Sequence, residues 1–144
     1  MTDMNQEIGP GSGIGERPER AAIVGITETA ENGEANVIIT LTYHDEEFTG
    51  AATGSAAVSA RPRIVGEATL RAVESVTGGR LQLSLDAIAT TDLGESRVAM
   101  AQVGLMGSAE PLVGSALVQT SDSATATVKA VLDAINRRMS QVLG

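Results

Sequence analysis

The 144-residue chain has no cysteine and no tryptophan, and only one each of tyrosine, phenylalanine and histidine. Without cysteine there can be no disulfide, iron–sulfur cluster, thiolate zinc site or thiol nucleophile, and the absence suits a reducing compartment. Two aromatics offer no platform for stacked bases. The balance of 18 acidic against 10 basic residues, a net charge of −8 and a pI near 4.5, offers no positive field for phosphates. Nucleic acid is therefore not an expected partner. There is no uncharged run of 18 apolar residues, and residues 1–7 hold neither a basic n-region nor an apolar stretch, so neither a membrane span nor export is expected. What is present, 42% hydrophobic residues and only 19% charged ones, is the composition of a small acidic globular domain, expected in the cytoplasm.

Residues 1–20 carry Gly9, Pro10, Gly11, Ser12, Gly13, Gly15 and Pro18 among polar residues, too little apolar area to offset the entropy of ordering them. This segment reads as a flexible tail. The spacing of Gly11, Gly13 and Gly15 is superficially that of a phosphate loop, but no strand precedes it to aim backbone N–H groups at an anion. Residues 21–144 read as one domain. The β-branched runs 22–27 and 37–43 flank Asn32-Gly33, a pair that tolerates the positive φ of a type I′ hairpin. A polar turn at 44–47 leads into a small-residue strand over 48–55. Pro62 then opens a helix to about Val76, in which Val65, Ala68, Ala72, Val73 and Val76 recur at three and four residues. Gly78-Gly79 stops it.

The second half repeats this order. Leu81, Leu83, Leu85, Ala87 and Ala89 alternate with polar residues as in a strand with one buried face. Asp92-Leu93-Gly94 turns the chain, two strands follow at 98–106 and 112–119, and Ser121, Asp122 or Ser123 caps a helix carrying Val128, Val131, Leu132, Ile135, Met139 and Val142. Laying one helix over the other pairs Ala68 with Ala130, Leu70 with Leu132 and Ala72 with Ala134, while Gly50 falls over Gly114 once one residue of offset is allowed. The expected fold is α+β: two βββα repeats, 21–78 and 80–143, with pseudo-twofold symmetry and a mostly antiparallel sheet packed with two helices.

Catalytic chemistry has no evident carrier. His44 stands in a turn beside Asp45-Glu46-Glu47 with no nucleophile spaced against it, and three successive carboxylates on an extended chain point to alternate sides rather than to one cation. Asp86, Asp92, Glu95 and Glu110 read as surface charges, and Arg137-Arg138 as a complement to the helix dipole. No enzyme activity, metal or cofactor is expected. The small-residue segments 49–60 and 114–123 are better candidates for a ligand site, because small side chains leave room and free backbone groups. Their candidate binding residues are Gly50, Ala51, Gly54, Ser55, Gly114, Ser115, Ser121 and Asp122; close strand–helix packing would equally demand small residues. Apolar positions outside a single stripe of the last helix, among them Ala130, Val131, Val142 and Leu143, would be partly exposed in a monomer. Val131, Ile135, Met139 and Val142 are accordingly the expected dimer interface.

The stretch 126–136, with Ala126, Ala130, Ala134 and Asn136, resembles the second helix of the C-terminal regulatory domain of α-isopropylmalate synthases. Glu67-Ala68 with Ala72-Val73 resembles the first helix of that domain. The likeness spans about residues 21–140 and implies a stand-alone regulatory module of two βββα units that dimerises and holds an amino-acid effector near the subunit interface. The longer segment 54–63 replaces the family's Gly-x-Gly-Pro turn, and no catalytic barrel accompanies the domain, so synthase activity is not expected. The alternative is a structural or assembly protein that docks on an enzyme partner without a small ligand.

Overall fold

A computed structural model of the chain describes residues 20–118 and 122–143; the expected tail, save Arg20, and Ser121 lie outside these residues. The element order is β1 (Ala22–Glu31), β2 (Glu34–Tyr43), β3 (Glu46–Ser55), α1 (Arg61–Val76), β4 (Leu83–Leu93), β5 (Ser96–Leu105), β6 (Leu112–Leu117) and α2 (Ser123–Leu143), with a 3₁₀ turn at Val58–Ala60 ahead of α1. This is an α+β fold of βββα order: β1-β2-β3 and β4-β5-β6 each form a three-stranded antiparallel sheet, and each is followed by its helix.

Turn chemistry sets the strand lengths. Asn32 (φ 55°) and Gly33 (φ 79°) make a two-residue connection with both φ values positive, which matches the strand twist and lets the ladder close down to Glu31 opposite Glu34. β1 thus runs four residues beyond the apolar stretch 22–27. His44 (φ 52°) and Asp45 (φ 63°) repeat this turn between β2 and β3 without a glycine. In the second half the equivalent first turn has only Gly94 (φ 64°) in that region, the pattern of a type II′ turn. β4 starts at Leu83 rather than Leu81 because the Leu81 N–H is turned back to Thr77 Oγ1 (3.4 Å).

The two units share one register. A bulge at Val24 interrupts the pairing of β1 with β2, and a bulge at Asp86, 62 positions on, interrupts that of β4 with β5. At the same offset Ile39 corresponds to Ala101 and Ala68 to Ala130, and across the third strands Gly50 faces Ile39 as Gly114 faces Ala101. This correspondence is stronger support for a repeat than the shared alanines, since a bulge position has no compositional reason to recur.

Both helices are buried over more than one face. In α1 the buried residues Ile64, Val65, Ala68, Leu70, Ala72, Val73 and Val76 cover roughly 240° of the helix circumference at 3.6 residues per turn. α1 packs on β2 and β3 of its own sheet, on β4 of the other, and on α2; α2 packs on β5, β6 and α1 but only marginally on β1. The core therefore lies between sheets and helices, with Ile39, Leu41, Leu70, Val103, Val128 and Ile135 fully enclosed. Enclosing each such side chain contributes about 1.5–3 kcal/mol.

The expected interface on α2 does not survive this arrangement. Ala130, Val131 and Ile135 have no exposed surface and Met139 almost none, because the arc that would face a second subunit is already covered within the chain. Val142 and Leu143 alone of that set stay partly exposed.

Candidate functional site

The eight candidate binding residues do not converge. Gly50 and Gly114 each meet a helix so closely that a Cβ would run into backbone: into Ala68 and Ala72, and Arg71 C at 2.6 Å, from Gly50, and into Ala130 and Ala134, with Ala134 Cα at 2.8 Å, from Gly114. The open space expected there is absent, and close packing is what these glycines permit. A Cβ on Gly54 would likewise come within 2.9 Å of Ile64 Cδ1. Ala51 and Ser115 lie on the outward phases of their strands, and the Ser115 N–H donates to Asp133 Oδ2 (3.0 Å). Ser121 lies outside the described residues.

Ser55 and Asp122 belong to one region. Ser55, with Ala56, Ala57 and Val58, lines a cavity of about 220 Å³ floored by Ala35, Val37 and Ile64 and closed at one side by Glu28 and Arg61. The strand β1 brings Glu28 there because Glu28 sits opposite Val37, on the phase that faces the core. Arg61 enters from the first turn of α1, where Pro62 supplies the helical φ and no side chain caps the helix. Its guanidinium grips Glu28 with both arms, Nε to Oε1 and Nη2 to Oε2, each at 2.7 Å. Nη1 donates to Ser123 Oγ (3.2 Å), and Nη2 lies 3.8 Å from Asp122 Oδ1.

Asp122 is the N-cap of α2: Ala124 N–H donates to its Oδ1 (3.0 Å) and Thr125 Oγ1 to its Oδ2 (2.8 Å). One arginine thus joins β1, the start of α1 and the start of α2. The hydrogen bond from Arg61 holds the Glu28 carboxyl below its ordinary value, with partial burial opposing and the Arg61 charge assisting. The same bond raises the Arg61 guanidinium further. Val58, 87% exposed, stands at the rim.

Sequence reasoning passed over Glu28 and Arg61, yet a signal existed. Ile26, Glu28 and Ala30 share the inward phase of β1, and a carboxylate on a core-facing phase calls for a cation. Its partner was not readable, since Arg61 is 33 residues away. His44 is exposed in its turn, with its ring edge-on to Tyr43 at 4.3 Å. Among the described residues no three His, Asp or Glu side chains cluster as a metal site would require, and no helix is long and apolar enough to cross a membrane.

The outer faces of the two sheets differ. That of β1-β2-β3 carries Thr27, Thr29, Thr40, Thr42, Thr49 and Thr53 around Ile38. That of β4-β5-β6 carries Ala87, Ala89, Val98, Met100, Val113 and Leu117, of which Met100 is 40% and Leu117 55% exposed. Its only charge is Asp86 at the bulge, beside Gly104.

Searched against protein-family models and curated proteins, the chain matches none.

Proposed function

We infer that the protein is a non-catalytic binding module that takes a small amino acid in the cavity beside Arg61 and pairs with a second copy of itself. The observation that carries this reading is the make-up of the cavity: an alanine, valine and isoleucine bed with one carboxylate–guanidinium pair at its side. At about 220 Å³ it is smaller than the roughly 300–1,000 Å³ of sites for drug-sized molecules. An aliphatic amino acid suits both parts. Its side chain lies on Val37 and Ile64, its carboxylate takes Arg61, and its ammonium takes Glu28. Because Arg61 also touches the cap of α2, occupancy there is felt by both halves, as a regulatory module requires. The resemblance of the helices to the α-isopropylmalate synthase regulatory domain supports the same class of effector.

Pairing is assigned to the outer face of β4-β5-β6. On a chain of net charge −8, approach of a second copy is opposed by like charge, and this apolar face is the patch where that opposition is least.

A thermal-shift screen with leucine, isoleucine, valine and other amino acids, alongside light scattering, tests both parts. A saturable rise in melting temperature that vanishes in Arg61→Gln is the expected result, since a ligand bound to the native state alone must stabilise it. No shift with any amino acid, together with stable self-association or capture of an enzyme partner, favours the assembly-protein reading instead.

A further inference from the structure

The grooves that flank the two helices are counterparts, and they are finished differently. Between β3 and β4, over α1, the groove has a volume of about 480 Å³, and α1 spends its polar side chains on the free edge of β4. Arg71 Nη2 donates to Leu83 O (2.9 Å), Arg63 Nη2 donates to Leu85 O (2.8 Å), and Leu83 N–H donates to Glu74 Oε2 (2.9 Å). The groove over α2, between β6 and the start of β1, has about 560 Å³. There Asn136 occupies the position of Glu74, 62 residues on, but its Oδ1 has no hydrogen-bond partner although the residue is only 8% exposed. Asp133, at the position of Arg71, turns to β6 and accepts from Ser115 N–H.

Arg20, Arg137 and Arg138 line this groove with Asn136. Among the described residues none of the three side chains makes a hydrogen bond or ion pair. α2 runs on to Leu143 with no basic residue in its last turn, so the helix dipole accounts neither for Arg137 and Arg138, as the sequence had suggested, nor for a buried amide oxygen without a donor. Such an atom costs stability unless something outside the chain donates to it.

We propose that the α2 groove binds a small oxyanion that carries its own hydrogen-bond donor, hydrogen phosphate being the simplest case. The three guanidinium groups supply charge in forks that fit tetrahedral oxygens, and the anion's O–H donates to Asn136 Oδ1. Asp133 is the one carboxylate lining the groove, and its Oδ2 is engaged by β6, so three cations face one anion. Sulfate has the same shape and charge but no proton to give. This site is separate from the cavity beside Arg61 and does not rest on the function proposed for that cavity.

Isothermal titration of the full chain with inorganic phosphate and with sulfate, at matched ionic strength and near pH 8, tests the site. Wild-type protein is expected to bind phosphate saturably and sulfate at least about tenfold more weakly, the size of effect that one hydrogen bond to a charged group produces. The Arg137→Gln, Arg138→Gln double variant should lose phosphate binding, and Asn136→Leu, close in volume, should bind the two anions alike. Melting curves check that both variants are folded. Arg61→Gln should bind phosphate as wild type does, which separates this outcome from a failure at the other cavity. Absence of saturable phosphate binding, equal binding of phosphate and sulfate by wild type, or phosphate preference that survives either set of substitutions overturns the proposal.

Discussion

The two βββα units agree where they are packed and disagree where they meet water. Inside, the bulges at Val24 and Asp86 and the glycines at 50 and 114 recur in register, and the helices bury matching positions. Outside, one sheet presents threonines and the other aliphatic side chains; in one groove Arg63, Arg71 and Glu74 are tied to the edge of β4, and in the other, among the described residues, Asn136 Oδ1 and the side chains of three arginines have no such partners. The difference teaches that helix–sheet contact limits the interior far more strongly than solvent limits the surface, so divergence between the halves is the place to look for function.

The largest expected effect tests the shared interior. Gly50→Ala and Gly114→Ala each drive a methyl into helix backbone that cannot rotate away, and each should lower stability by about 3 kcal/mol or more in urea unfolding. A glycine that tolerates alanine would mean that the two halves do not pack alike. The outer faces come next. Met100→Lys puts a charge in the middle of the aliphatic sheet face and should weaken self-association at least about tenfold in sedimentation or light scattering. Thr40→Lys on the other sheet should leave association unchanged, and a loss there instead would reverse the assignment of the pairing face.

Smaller is the contrast between hairpin turns. Gly33 and Gly94 both stand at positive φ with open space around them, so alanine at either should cost about 1–2 kcal/mol from backbone strain alone. Equal costs would show that the two turn types are equally demanding of glycine.

Smallest is the ion pair that only the first half contributes. Arg61 and Glu28 are each more than a third exposed along their side chains, and screening by water and salt leaves such a pair about 0.5–1 kcal/mol. Arg61→Gln should therefore shift the urea midpoint slightly, and less at high salt. The pH dependence has a definite sign. Glu28 titrates below the ordinary glutamate value of 4.5, so its contribution is complete above that pH and fades as pH falls through the lowered value. The wild-type advantage over Arg61→Gln should shrink only below about pH 4.5, and an advantage constant down to full protonation would contradict the pairing.

Local chemistry made much of the fold readable. Asn32-Gly33, Pro62 and Gly78-Gly79 mark element ends because each has a backbone preference of its own, and Leu83 and Leu85 announce a strand by period, but the expected single buried face fails at Ala87 and Ala89, which the bulge at Asp86 turns outward while Ile88 takes the inward phase. The site was harder. Small residues at 50 and 114 answer equally to a ligand and to a helix pressing on the strand, and no local signal tells these apart. Ala130 and Val131 looked like surplus because a single buried stripe was assumed, whereas a helix covered from several sides hides a much wider arc.

By itself the sequence determined the order of strands and helices, their approximate ends and the pairing of Gly50 with Gly114, since turn preference and hydrophobic period act between near neighbours. Only the tertiary structure decided that these glycines serve packing, that Arg61 reaches Glu28 and the cap of α2, and that Asn136 is left without a donor. Those outcomes depend on contacts between residues far apart in the chain, whose distances are set when sheets and helices close on one core and not before.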